Sequence, residues 1–217
     1  MILYQIPLLI LTMGLVYIFI APSEPYIFSL FFKLVPMFLI LIYAFKRLPR
    51  KKSNIHWLLI SGLIFGIVGH VTAHWFLVGL SAFFVGHLFY MAGFLSVWKF
   101  GKVRFAMILP ISVYGFFMGN ELLVALNTSG NEVLIIPIIL YLIVTLLMLW
   151  SAIMTGNRWA ILGSLLFVIS DSILSLNIFI ASVPNSEALI MSAYYAAQFF
   201  IIHSLGTIVG ENKRIVW

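Results

Sequence analysis

Asp171 is the residue whose surroundings most restrict what it can be doing. It stands inside the apolar run 159–180, with Ser170 beside it and Ser175 one turn on. An ionisable side chain in such a run is expensive to keep, which marks it as a candidate for function. The plainer alternative is a carboxyl satisfied by those serines and by backbone. His70 occupies a comparable depth in another apolar run, about 21 Å from His56, against about 18 Å from Trp159 to Asp171 at 1.5 Å per residue. A carboxyl and an imidazole at one depth can supply a proton donor and a proton acceptor. Asp171 and His70 are therefore the candidate catalytic pair.

Further polar groups gather near that depth. His87 and Tyr90 share one helical face at i, i+3, while Gln198 sits with Tyr194 and Tyr195 in the last apolar run. Each alone also fits an ordinary interhelical hydrogen bond. Together they form a polar belt suited to binding a substrate. Lys33 either snorkels toward the surface or receives a phosphate. Glu121 ends the fifth run as an interface or site residue, and His203 has no assigned role. His70 and His74 have HxxxH spacing and with Asp171 could complete three metal ligands. However, His74 falls in a turn and the motif lacks its usual neighbouring Glu, so no metal or cofactor is expected. The glycine steps at Gly62, Gly66 and Gly69, and at Gly79, Gly86 and Gly93, read as close helix packing.

The elements that must hold these groups follow from composition. The chain is 64% hydrophobic and 8% charged, where soluble domains carry roughly a quarter charged residues. The apolar stretches approach 20 residues, a bilayer-spanning length. They are 2–20, 27–45, 56–73, 76–98, 105–126, 133–153, 159–180 and 188–209. The fold class is all-α: a polytopic bundle of eight transmembrane helices in one transmembrane domain, 1–217. The N-terminus has no basic region and no small-residue cleavage site, so it reads as a retained helix, not a signal peptide. With no cysteine, a disulfide framework and thiol catalysis are excluded.

A net charge of +6 could suggest nucleic acid, but its placement argues against that partner. Lys46, Arg47, Arg50, Lys51 and Lys52, then Lys99, Lys102 and Arg104, then Arg158, then Lys213 and Arg214 all fall on one side of an eight-helix alternation. The other side carries Glu24, the uncharged turn at His74, Glu132 and Glu187. The positive-inside rule makes the basic side cytoplasmic and places both termini there, in a multi-pass protein of the cell (inner) membrane. An internal repeat is also expected. Gly62–His70 aligns with Gly163–Asp171 at an offset of 101, and Phe83–Tyr90 matches Tyr194–Ile201 more loosely. Four helices per half would make a parallel 4+4 repeat, whose interface commonly holds the site.

Several segments resemble the YhhN-type lysoplasmalogenase family of eight-helix membrane proteins. They are Gly62–His70, Gly79–Tyr90, Pro137 with Tyr141 and Met148, Ser170-Asp171, and Tyr194–Gln198. The resemblance covers the chain from about Lys33 to Ser204 and rests on the order and spacing of these segments. It implies hydrolysis of the vinyl ether bond of lysoplasmalogens to a fatty aldehyde and a glycerophospho-alcohol, with two membrane aspartates proposed to carry the chemistry. This sequence departs in having His70 where the family typically has Asp. It also has Lys33-Leu-Val-Pro36 in place of an adjacent Lys-Pro. The expected roles are protonated His70 as acid and Asp171 as cation stabiliser and base for water, or the reverse. His87, Tyr90, Gln198, Tyr194 and Lys33 would bind an ether lysophospholipid. The rival readings are a catalytically impaired relative that binds or transports lipid, and a metal-dependent lipid amidohydrolase.

Overall fold

A computed structural model describes residues 2–22 and 24–209. Lys213 and Arg214, assigned above to the basic side, lie outside the described residues. The described residues form helices and turns only: α1 (Ile2–Phe19), α2 (Tyr26–Arg47), α3 (Asn54–Thr72), α4 (Phe76–Leu95), α5 (Lys102–Ala106), α6 (Ile108–Thr128), α7 (Ile135–Thr155), α8 (Arg158–Ser175) and α9 (Ser186–His203). Eight of these are long, and α5 is a single short turn leading into α6. Seven spans are long and apolar enough to cross a bilayer, while the described apolar stretch of α1, Gln5–Phe19, is shorter. Apolar side chains such as Phe116, Val133 and Ile27 stand exposed on the outside of the bundle. In water that surface would be costly, whereas against lipid it is not. The architecture is that of a multi-pass membrane protein.

Local chemistry explains the helix ends. Asn157 caps α8 by accepting the Trp159 and Ala160 N–H groups at 3.0 and 3.2 Å. His56 closes a capping box at the start of α3, accepting the Ser53 N–H at 2.8 Å. That imidazole is a cap. α7 stops at Gly156, whose φ of 69° suits glycine. The fifth span is not continuous: Pro110 has no N–H for the Ala106 carbonyl, and the helix breaks at Met107. α8 ends in a widened π turn, Leu176–Ile180, and Asn177 folds the following loop back by accepting the Val183 N–H at 2.9 Å.

α3 packs tightest on α4, and α8 on α9. Glycine permits both approaches. A Cβ on Gly86 would sit 3.1 Å from the Gly62 carbonyl, and one on Gly163 would sit 2.8 Å from the Ala197 carbonyl. The main core, with Met37, Ile40, Leu59, Leu63, Phe94, Phe167 and Ile201, joins α2, α3, α4, α8 and α9. A single end of the bundle collects the basic turns. There the Lys99 N–H donates to the Met154 carbonyl (3.0 Å), Asn157 donates to Thr207 (2.9 Å), and Arg47 Nη2 lies 3.4 Å from His203 Nε2. At the other end the Tyr26 ring meets His74, and Phe76 meets Phe179.

Candidate active site

α8 is fixed to α9 by Ser170, whose hydroxyl donates to the Ile190 carbonyl at 3.0 Å. The next residue, Asp171, reaches α7 and α4. Tyr141 of α7 donates its hydroxyl hydrogen bond to Asp171 Oδ2 at 2.8 Å. His87 of α4 brings Nε2 to 3.6 Å from the same oxygen. The ring of His87 is buried and clamped edge-on by Tyr141 and Phe167, with centroids at 5.2 and 4.8 Å.

The hydrogen bonding of His87 decides what that contact can be. Its Nδ1 lies 2.8 Å from the Phe83 carbonyl, and a carbonyl can only accept, so Nδ1 carries a hydrogen. In a neutral ring Nε2 is then a bare lone pair. A lone pair facing a carboxylate would be two acceptors in contact. A proton on either Nε2 or Oδ2 would resolve the conflict and give the carboxyl–imidazole pair one transferable hydrogen, although at 3.6 Å no hydrogen bond joins the two and Nε2 has no hydrogen-bond partner. The separation exceeds a hydrogen bond by about half an ångström.

Asp171 opens into a cavity of about 410 Å³, which Lys33, His70, Tyr141, Glu187 and Tyr194 also line. Phe76, Leu80, Phe83, Ile178, Phe179 and Ile190 supply its apolar wall. The volume is within the small-ligand range of roughly 300–1,000 Å³. His70 and Asp171 thus share one cavity without a hydrogen bond or ion pair between them among the described contacts. The partners that touch Asp171 are His87 and Tyr141. His70 instead stands edge-on to Tyr194 and Phe83, centroids 4.5 and 5.1 Å apart, and its Nε2 is buried with no protein partner.

His87, Tyr90 and Gln198 do not line the cavity; His87 stands behind Asp171, and Tyr90 and Gln198 build the support. Tyr90 donates to Gln198 Oε1, and Gln198 Nε2 donates to the Tyr194 hydroxyl at 3.0 Å. Glycines of α3 make room for this chain: a Cβ on Gly62 would lie 2.6 Å from the Tyr90 ring, and one on Gly66 would lie 2.7 Å from the Tyr194 hydroxyl. Lys33 sits at the rim, 3.3 Å from Glu187 and over the Tyr17 ring, while Tyr17 donates to Glu187. Pro36 disturbs the turn that carries Lys33, and Tyr195 donates to the Lys33 carbonyl at 2.8 Å.

Two contributors escaped the sequence reading as site residues, Tyr141 and Glu187. Tyr141 did carry a signal: with Thr145, one turn on, it is a polar pair in the otherwise apolar stretch Ile135–Met148. Thr145 shares a small pocket with Tyr141 and Asp171. Glu187 looked like a loop charge only. His74 packs against the Tyr26 and Trp75 rings, and Glu121 is exposed. Among the described residues no three His, Asp or Glu side chains are grouped to hold a metal. His203 pairs with Tyr43 (2.8 Å) and Arg47 at the basic end.

The sequence profile of the YhhN family matches residues 28–205. The chain belongs to the YhhN family. This membership bears out the resemblance drawn from the glycine, histidine and Ser170-Asp171 segments. Mouse lysoplasmalogenase TMEM86B is 30% identical over 191 residues, 86% of this YhhN protein and 79% of the relative. The rat protein of that name is 28% identical, covering 85% and 76%. Human lysoplasmalogenase TMEM86A is 28% identical over 64% of this chain and 61% of its own length. No solved structure matches significantly. The matched region of this YhhN protein contains Lys33, His70, Tyr141, Asp171, Glu187 and Tyr194, hence the whole cavity, and His87 behind it.

Proposed function

We propose that this protein is a membrane-embedded hydrolase that cleaves the vinyl ether bond of lysoplasmalogens to a fatty aldehyde and a glycerophospho-alcohol. The names of its relatives support the substrate class. The observation that carries the chemistry is the contact of Asp171 with His87, whose Nδ1 is committed to a carbonyl, at the wall of a cavity of about 410 Å³.

A vinyl ether hydrolyses when a proton is added to its β-carbon, leaving an oxocarbenium ion. Water then adds to the α-carbon and loses a proton. The resulting hemiacetal separates into aldehyde and alcohol. The Asp171–His87 pair supplies the first proton, and the pair's remaining negative charge lies beside the cation. Tyr141 holds Oδ2 in place. His70, an imidazole on the cavity wall, receives the proton lost by water. Lys33 at the rim is placed for the phosphate of the head group, and Tyr194, held by Gln198 and Tyr90, shapes the wall. These roles follow the reversed of the two assignments expected from the sequence, with Asp171 on the acid side and His70 as base, and add His87 as the partner of Asp171.

No step needs a metal, and turnover should survive exhaustive chelation. The test of the activity is incubation of detergent-purified protein with a lysoplasmalogen and assay of the aldehyde. A second reading, a lipid-binding or transport protein, draws on His70 standing where the family typically has Asp. Lysolipid binding without aldehyde would favour it. We further place the protein in the cell (inner) membrane with both termini cytoplasmic. The parallel 4+4 repeat remains our reading of the architecture, supported by the tight α3–α4 and α8–α9 pairs; the 101-residue offset relates α3 to α8, and α4 matches α9 at the different offset of 194−83 = 111.

A further inference from the structure

Beside the main cavity lies a second one of about 190 Å³, lined by Tyr26, Ser29, Leu30, Lys33, His70, Ala73 and His74. Five of these seven residues carry polar side chains, against half of the residues lining its neighbour, so the small cavity is the more polar of the two. Its position differs as well. Tyr26 begins α2 and His74 lies in the turn after α3, at the end of the bundle away from the basic turns. The two cavities share Lys33, His70 and Ala73. His70 is therefore part of the wall between the larger cavity and the small, more polar one. The Nε2 of His70 is buried without a protein partner, while the side chain as a whole is only partly buried, so the rest of the ring is what meets the two cavities. At about 30 Å³ per molecule, the small cavity has room for roughly six waters.

We infer that the small cavity is the inlet for the nucleophile: water enters past Tyr26, Ser29 and His74 and is presented to the reaction by His70. The lipid occupies the large cavity and does not share this route. The inference rests on the vinyl ether hydrolase reading and adds to it a site for the second substrate. It also gives His70 a task that fits its place, since the imidazole contacts water at the shared wall while Asp171 and His87 deal with the lipid. Separate routes let water reach the cation without crossing the bound chain.

An alternative nucleophile reads the inlet directly. In buffer containing methanol, the oxocarbenium ion is captured by either water or methanol. Methanol capture forms a C–O bond to the α-carbon, releases a proton, and leaves a mixed acetal heavier than the substrate by one methanol. The ratio of mixed acetal to aldehyde, measured by mass spectrometry, reports how readily each nucleophile arrives. Ser29→Leu narrows the inlet, so this ratio should fall several-fold, with kcat reduced and KM for the lysolipid unchanged. Tyr26→Ala widens it, and the ratio should rise. Thermal-shift titration with lysolipid confirms that each variant is folded. An unchanged ratio in both folded variants, while aldehyde still forms, would overturn the inlet. A raised KM at constant ratio would also overturn it, by assigning the space to the head group. If the parent protein releases no aldehyde, the hydrolase reading falls first and the inlet with it.

Discussion

Asp171 accepts from a phenol and faces an imidazole whose other nitrogen is committed to the Phe83 carbonyl. Charge and shape can therefore be separated by substitution. Asp171→Asn preserves the outline of the carboxyl and removes its acidity. Turnover should fall by on the order of 10²–10⁴-fold, the usual contribution of a positioned acid–base group, while lysolipid still shifts the melting temperature. His87→Gln can still donate to the Phe83 carbonyl but cannot pass a proton, so a comparable fall is expected in the aldehyde assay. His70→Asp restores a group able to receive a proton from water and should keep or raise activity. His70→Ala should lower it. Asp171 was legible in the sequence because an ionisable residue in an apolar run stands out. Its true neighbour was not. The repeat offset pointed to His70, and depth along a helix agreed, but depth carries no information about azimuth. Which face of α4 turns toward α8 is settled by packing among four helices, and that put His87 at Oδ2.

At the scale of the helices, apolar run length was enough to foresee eight long segments, because lipid leaves the backbone few alternatives to an α-helix. The irregularities were harder. Pro110 could have signalled the break at Met107, since a proline in a helix frees the carbonyl four residues back. The π turn at Leu176–Ile180 has no local signature in the sequence and follows from how α8 meets its neighbours. The glycines of α3 were read as packing, which is half of their use. Gly62 and Gly66 form the surface on which Tyr90, Tyr194 and Gln198 are seated. Gly66→Ala tests this. Helix propensity alone would favour Ala by about 1 kcal/mol. Against that, the new methyl would meet the Tyr194 hydroxyl and Gln198 Nε2, at 2.7 and 2.8 Å, and neither can retreat without breaking the chain to Tyr90. Overpacking should win, with a net loss of about 1–3 kcal/mol and a lower melting temperature in detergent. Gly101→Ala, whose Cβ would approach nothing closer than 3.6 Å, should change stability by no more than about 0.5 kcal/mol.

For the whole molecule, orientation follows from charge, and the bundle supplies a geometric check on it. The turns with Lys46–Lys52, Lys99–Arg104 and Arg158 are separated by long apolar helices, yet contacts from Arg47 to His203, Lys99 to Met154 and Asn157 to Thr207 hold their helix ends together. Among the described residues, every loop lysine and arginine is therefore at one end of the bundle, and the Lys33–Glu187 rim belongs to the other half. Basic loops resist translocation far more than acidic ones, so that end should be cytoplasmic and the cavity should open toward the outer leaflet. The chain has no cysteine, which lets a single introduced thiol report by itself. Cysteine at Lys51 or Lys102 should resist a membrane-impermeant thiol reagent in intact cells and react after permeabilisation. Cysteine at Ser129 or Pro184 should react in both conditions. Labelling of Lys51→Cys from outside, with Ser129→Cys protected, would invert the bundle and turn the cavity mouth to the cytoplasm. A lysolipid would then reach Asp171 from the inner leaflet, and the compartment receiving the aldehyde would change with it.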